Sequence, residues 1–376
     1  MRKIIIAPDS FKGTMTSVQV CDIIASSIKK ICPETEVVKL PIADGGEGTV
    51  DAYLHSCGGE RHYLRVKDPL LRDVEAYYGI LEDEKTAVIE MAQASGLPLV
   101  GENKNALKAT SYGTGQLIKD ALDNGCNKII LGIGGSATND GGCGAFAALG
   151  VGFLDFQGKK IEPNGAGIAG INNIDISGID NRIRDVKIFI ACDVNNVLYG
   201  KDGASYVFGP QKGASKDEAE ILDKNLKHYS KVFTRQFGVD HSNIPGTGAA
   251  GGIALPFLYL TKARMVSGID AILETVKFDD VIKGANLVLT GEGRIDGQSL
   301  KGKLPLGVAL HCKKQNIPVV VIVGSIGYDI DLIYEHGISA IFSTVNDTVP
   351  FSKARATCKE DLAFLVESLM RFATII

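Results

Sequence analysis

The hydrophobic pattern starts with residues 3–7 (KIIIA), an unbroken apolar run short enough for a buried strand. Val20, Ile23, Ile24 and Ile28 then recur at helical spacing over 17–32, with Ser17 placed to cap the helix. Residues 36–40 predict a second strand and 49–56 a short helix. This β-α-β-α opening is that of a parallel sheet. The rhythm then changes. Residues 60–66, 74–81 and 86–91 predict three strands in succession, separated by turn signals, and therefore an antiparallel sheet in a different domain.

Further along, 113–124 predicts a helix, 128–133 a buried strand, 151–156 and 186–191 more strands, and 217–237 a long amphipathic helix. From about Gly248 the α/β alternation returns. Helices are expected at 251–261 and 268–276, and a strand at 287–290 runs into a glycine loop. A helix near 305–315, strands at 319–323 and 340–343, and a closing helix at 353–373 follow. The expected fold is α/β with two domains. A Rossmann-like, doubly wound parallel-sheet domain is formed by both termini (1–66 and 281–376), and a second α/β domain (67–280) is inserted in it.

Length supports the division, since 376 residues exceed one ordinary domain. A net charge of −4 argues against a nucleic-acid footprint, which needs clustered basic residues. No apolar run reaches the roughly 18 residues of a membrane span, and the N-terminus lacks the apolar core of a signal peptide. The eight cysteines are scattered with no CxxC spacing, and the six histidines show no ligand-type pairing. The expectation is a cytoplasmic protein with reduced thiols, no transition metal, no nucleic-acid or membrane partner, and a monomeric or small homo-oligomeric state.

Glycine changes the picture. The 44 glycines are neither periodic nor low-complexity; they cluster at the ends of apolar runs. Ala43–Thr49 (ADGGEGT) sets Asp44 and Glu47 among glycines, where backbone approaches a ligand closely or merely turns. In a parallel sheet this loop, the Asp9–Thr14 loop and the Gly291–Gly297 loop all fall at the carboxyl edge, where open α/β sheets bind ligands. Gly134-Gly135-Ser136-Ala137-Thr138, Ala191–Asn196 and Gly246–Gly252 add more such loops. Glycine loops opening helices suit phosphate, interleaved carboxylates suit Mg²⁺, and both with Lys and Arg form the set phosphoryl transfer uses. Standard motifs fit poorly. GTGAAG (Gly246–Gly251) has the GxGxxG form of a dinucleotide-binding dehydrogenase but follows no clear strand. GQSLKGK (Gly297–Lys303) begins like a Walker A loop, yet Leu304 stands where Ser or Thr belongs. A carboxylate- or phosphate-binding protein without turnover is the non-enzymatic alternative.

Taken in order, APDSFKGTMTS (Ala7–Ser17), ADGGEGT, GGSATNDGG (Gly134–Gly142), ACDVNN (Ala191–Asn196), FGPQKG (Phe208–Gly213), GTGAAGG (Gly246–Gly252) and TGEGRIDGQSLKGK (Thr290–Lys303) resemble the type I glycerate kinases. One departure is Val197, where the family usually has Pro. The resemblance implies a two-domain kinase with its site in the interdomain cleft. It also implies ATP, Mg²⁺ and D-glycerate as cofactors and substrate, with 2-phosphoglycerate the usual bacterial product and 3-phosphoglycerate or another hydroxy acid the alternative.

Roles then follow as expectations. Lys12 contacts either the glycerate carboxylate or the transferring phosphoryl, and Asp9 holds Mg²⁺ or the substrate hydroxyl; a capped turn is the plainer reading. Asp44 and Glu47 bind substrate or metal. Asp193 is the leading candidate for the base, against a strand-end Asp capping a loop. Glu292 and Asp296 are candidate metal ligands and Arg294 a carboxylate or phosphate clamp, against an internal ion-pair network. Gly134, Gly135, Ser136 and Thr138 are candidate phosphate contacts. Gly248, Gly251 and Gly252 serve either phosphate or close helix packing. Lys212 is either a phosphate contact or an exposed turn lysine, Lys303 a point charge for phosphate, and Asp140 a helix cap.

Overall fold

The computed structural model describes residues 2–43, 46, 48–83, 85–297, 304–346 and 350–375. Its strands, in chain order, are β1 (Lys3–Pro8), β2 (Glu36–Lys39), β3 (Gly59–Lys67), β4 (Asp73–Leu81), β5 (Thr86–Glu90), β6 (Lys128–Gly132) and β7 (Gly152–Leu154). They continue with β8 (Asn173–Asp175), β9 (Lys187–Ala191), β10 (Arg264–Val266), β11 (Leu287–Ile295), β12 (Val319–Ile326) and β13 (Ile338–Ser343). The chain divides into two units. Met1–Asp44, Asp51–Gly58 and Ile269–Ile376 form the first, and Gly45–Val50 with Gly59–Gly268 the second.

The first unit is a parallel sheet in the order β2-β1-β11-β12-β13. The chain moves outward from β1 to β2 on one side and from β11 through β12 to β13 on the other. The order therefore reverses between β1 and β11, the switch point of a doubly wound sheet. Ile4, Ile6, Leu289 and Ile322 from the sheet pack with Val20, Cys21, Ile24 and Ile28 of the helix Ser17–Ile31 and with Leu362, Val366 and Met370 of the helix Phe351–Ala373. The cap of Ser17–Ile31 is Thr16, not Ser17. Gln19 N–H donates to Thr16 Oγ1 at 3.2 Å and Thr16 N–H to Gln19 Oε1 at 3.0 Å, a reciprocal box that Ser17 lies one residue too late to form.

The second unit carries a mixed sheet in the order β10-β9-β6-β5-β4-β3. The β3-β4-β5 meander is antiparallel, whereas β5, β6, β9 and β10 run parallel. The strand expected at 151–156 is the short β7, which pairs with β8 in a separate ribbon. β3 pairs with β4 along its length and therefore belongs to this unit rather than to the terminal one. At the other end the return to the first unit falls after Gly268 rather than near residue 280. The core closes on the helix Lys216–Phe237, started by a Ser215–Glu218 capping box and ended by Gly238 at φ 87°. Its Tyr229 and Phe233 meet edge-on at 5.0 Å.

Candidate active site

At the switch point of the first unit, Pro8 pairs with Gly291, and Asp9 N–H donates to Gly291 O at 2.9 Å. Asp9, just past the end of β1, thus lies next to β11 where it reaches Glu292, and both side chains are buried, each 8% exposed. Asp9 Oδ1 accepts the Ser10 N–H at 2.6 Å. The chain then turns through Phe11–Met15, closed by Phe11 N–H to Met15 O at 2.9 Å, and this turn leaves Lys12 exposed. The glycine segment after Thr290 is not a loop. β11 continues to Ile295, paired with β12 through Arg294–Ser325 and Ile295–Ile326. Gly291 is needed in the strand because a Cβ there would lie 2.1 Å from Ile322 O. Alternation along β11 puts Glu292 and Arg294 on one face. Arg294 is exposed and pairs with Asp296 at 3.3 Å.

In the second unit the carboxyl edge is polar but closed. β6 runs into Gly134, half-buried, and Gly135, exposed at φ +70°, after which Ser136 through Asp140 are buried. The segment is tied down by Leu97 N–H to Gly135 O and Ala137 N–H to Ser95 O, at 2.9 and 2.8 Å. Lys212 lies beneath it, 2% exposed, with Nζ donating to Thr138 O at 2.7 Å and Ser136 Oγ at 3.0 Å. Burial lowers its pKa to about 7, partly offset by the charge of Asp140. Neither expectation for Lys212 describes this position, which is inside the protein and occupied by the loop itself. Thr138 Oγ1 and Asn139 Oδ1, also buried, have no hydrogen-bond partner among the described residues.

Asp140 is a cap, as its position suggests, but of two helices. Its carboxylate accepts Ser111 N–H and Oγ–H at 2.7 and 2.8 Å, at the start of the helix Tyr112–Asp123. It also accepts Gly142 N–H and Gly144 N–H, each at 3.1 Å, at the start of Cys143–Ala148. Burial pushes its pKa up against these four donors.

The glycines of Gly246–Gly252 face the chain itself. A Cβ at Gly248 would meet Val197 O at 2.1 Å, at Gly251 Thr138 O at 2.1 Å, and at Gly252 Leu198 Cδ1 at 2.7 Å. These contacts support the close-packing alternative for this segment. Asp193, after β9, is exposed, and its Oδ1 accepts Gly268 N–H at 3.0 Å, at the start of the helix Gly268–Thr275. Cys192 beside it is held largely by burial as a thiol, its pKa pushed up to about 11.

The structure thus brings Asp9, Lys12, Glu292, Arg294 and Asp296 to one sheet edge, and Gly134, Gly135, Ser136, Thr138, Lys212 and Asp193 to parallel-strand ends of the other unit. Asp44, Glu47 and Lys303 lie outside the described residues. Among the described residues no three His, Cys, Asp or Glu side chains gather as a metal site, and no helix is long and apolar enough to cross a membrane. Sequence reasoning missed Glu90, a buried acid at the end of β5 whose Oε1 accepts Val50 N–H at 2.8 Å. The only signal for it is a carboxylate closing the apolar run TAVIE.

The sequence matches the glycerate kinase family over residues 4–374. It is 46% identical to a glycerate kinase of Bacillus subtilis (strain 168), covering 94% of this chain and 92% of that one. It is also 46% identical to a glycerate 2-kinase of Escherichia coli (strain K12), over 91% and 90%. A crystal structure from Salmonella typhimurium LT2, described as a glycerate kinase 2, superposes with a TM-score of 0.90 at 41% identity, covering 100% of this chain and 98% of that one. With its doubly wound sheet and the charged switch point, the chain belongs to the glycerate kinase family and is an ATP-using kinase.

Proposed function

We propose that the protein transfers the γ-phosphoryl group of ATP to the 2-hydroxyl of D-glycerate, forming 2-phospho-D-glycerate and ADP. The observation that carries this reading is the gathering of Asp9, Lys12, Glu292 and Arg294 at the switch point of the first unit, where acids and bases meet at the ligand-binding edge of the sheet. The glycerate 2-kinase of E. coli, similar over nearly the whole chain, supports the choice of hydroxyl.

In this reading Lys12 and Arg294, both exposed, supply positive charge to the glycerate carboxylate and the transferring phosphoryl. Asp193 accepts the proton of the attacking hydroxyl as the new O–P bond forms. The bond from the γ-phosphorus to the bridging oxygen breaks, and ADP leaves with the electron pair. The Gly134–Gly135 turn, exposed at Gly135, offers backbone N–H groups to phosphate. Buried Lys212 holds this turn from beneath, through Ser136 and Thr138. Lys303 and Asp44 complete the proposed contacts to phosphate and substrate.

The donors beside the switch point are carboxylate oxygens, the hard ligands that suit Mg²⁺. Glu292, Asp296 and Glu47 would hold the ion, with Asp9 beside Glu292. Bound there, Mg²⁺ offsets charge that develops on the phosphoryl oxygens. All eight cysteines are free thiols, which supports a cytoplasmic setting.

The test is ADP release by the purified protein with ATP and MgCl₂, with and without D-glycerate. Release that requires D-glycerate, stops with EDTA and resumes with added Mg²⁺ is the expected result. ADP release indifferent to D-glycerate overturns the substrate assignment.

A further inference from the structure

Glu90 stands out as a buried carboxylate to which neither the cap geometry nor the proposed catalytic steps give a role. It closes β5, in register with Gly132 at the end of β6, and is 2% exposed. A carboxylate is costly to bury unless hydrogen-bond donors meet it. One donor is the Val50 N–H, at 2.8 Å from Oε1. Val50 lies in the first turn of the nine-residue helix Thr49–Cys57, where the backbone partial charge favours an anion. Val50 directly follows the acidic glycine stretch, which ends at Thr49. Thr49 folds back on that stretch, with its Oγ1 donating to Gly46 O at 2.7 Å and its N–H to the same oxygen at 3.3 Å. The end of the stretch is therefore fastened twice, once on itself and once on β5. This fits the grouping of Gly45–Val50 with the second unit while Asp51–Gly58 belongs to the first.

We propose that Glu90 is a positioning residue for the phosphoryl-transfer reaction. It fixes Val50, and with it the start of the helix Thr49–Cys57 that follows the glycines, to the carboxyl edge of β5. This inference rests on the proposed glycerate kinase reaction. Glycine-rich backbone has little rigidity of its own, so a precise position must come from an outside anchor. Glu90 is that anchor because its carboxylate accepts the Val50 N–H, two residues after the last glycine of the stretch.

Three variants and two readouts test it. Glu90→Ala removes the acceptor. Glu90→Gln keeps a carbonyl oxygen at the same reach. Glu90→Asp keeps the charge but withdraws it by one methylene. Deuterium uptake of the peptide spanning residues 46–54 reports the hold on Val50, and steady-state kinetics report the consequence. The alanine variant is expected to exchange this peptide faster, to raise KM for D-glycerate at least tenfold and to lower kcat, with KM for ATP within threefold of wild type. The glutamine variant is expected to recover to within fivefold in both readouts, and the aspartate variant to fall between them. The proposal is overturned if the alanine variant keeps kcat/KM for D-glycerate within threefold. It is equally overturned if the loss affects ATP and glycerate alike, or if uptake is unchanged. Should the alanine variant not fold, the aspartate-against-glutamine contrast decides by the same criteria. If the wild-type protein shows no glycerate-dependent turnover, the reaction assignment fails, and the uptake arm still decides whether Glu90 holds Val50.

Discussion

The carboxyl edge of the first unit's sheet exposes Lys12 and Arg294 and buries Asp9 and Glu292 just behind them. At the corresponding edge of the second unit, Glu90, Asp140 and Lys212 are all buried and hold the chain's own backbone. The glycines divide in the same way. Gly13, beside Lys12, would meet nothing within 4 Å if it gained a Cβ, whereas Gly251 would meet Thr138 O at 2.1 Å. Glycines interleaved with charges therefore build two different things. One edge offers charge outward to a ligand. The other spends its charges and glycines on fixing the shape of its loops, while Gly135 and Asp193 stand at the surface.

The largest effect that would break this comparison is expected at Asp193. Asp193→Asn keeps an oxygen for the Gly268 N–H but loses the base, so kcat should fall by about 10²–10⁴ with KM little changed. A kcat/KM within about tenfold of wild type, under about 1.4 kcal/mol, leaves Asp193 as a cap only. Arg294→Ala is expected to reduce kcat/KM by about 10²–10³ without moving the melting temperature, because Arg294 is exposed and an ion pair at the surface contributes little to stability. A fall in thermal stability with unchanged kinetics would place Arg294 in a structural network instead.

Stability measurements sharpen the glycine half of the contrast. Gly251→Ala combines backbone collision with a left-handed φ of +70° and should cost about 3 kcal/mol or more in denaturant unfolding. Gly13→Ala, at φ +80° in open space, should cost only the conformational strain, about 1–2 kcal/mol. Equal costs at the two positions would remove the distinction between packing and open glycines.

A pH dependence is expected at Lys212, whose pKa burial lowers to about 7. Between that value and the ordinary lysine value the unfolded chain holds a proton there that the folded chain has released. Stability contributed at this site therefore rises with pH, by up to about 1.4 kcal/mol per pH unit above pH 7. Lys212→Met should remove that slope. A parallel pH dependence in the two proteins would show that Lys212 is charged in the fold.

Much of this was legible in the sequence, because buried parallel strands announce themselves as short apolar runs such as those at 3–7 and 128–133. The end of β11 was not. Gly291, Glu292, Gly293 and Arg294 have low strand propensity, and only pairing with β12 holds them extended. β10 is three residues long and has no periodicity to read. At the site, acids and bases after strand ends were visible, but whether a charge faces ligand or backbone is a matter of burial. Lys212 reads as a turn lysine in FGPQKG and lies inside the protein. Glu90 is a single acid in an apolar run, and its partner Val50 is distant in sequence.

The most direct measurement is ³¹P NMR of the purified protein with ATP, Mg²⁺ and D-glycerate. The expected result is conversion of ATP to ADP with a new phosphomonoester signal split into a doublet by the single proton on C2. Intact ATP, or a signal split by two protons as in a 3-phosphate, would contradict the assignment of this chain as a kinase acting on the 2-hydroxyl of glycerate.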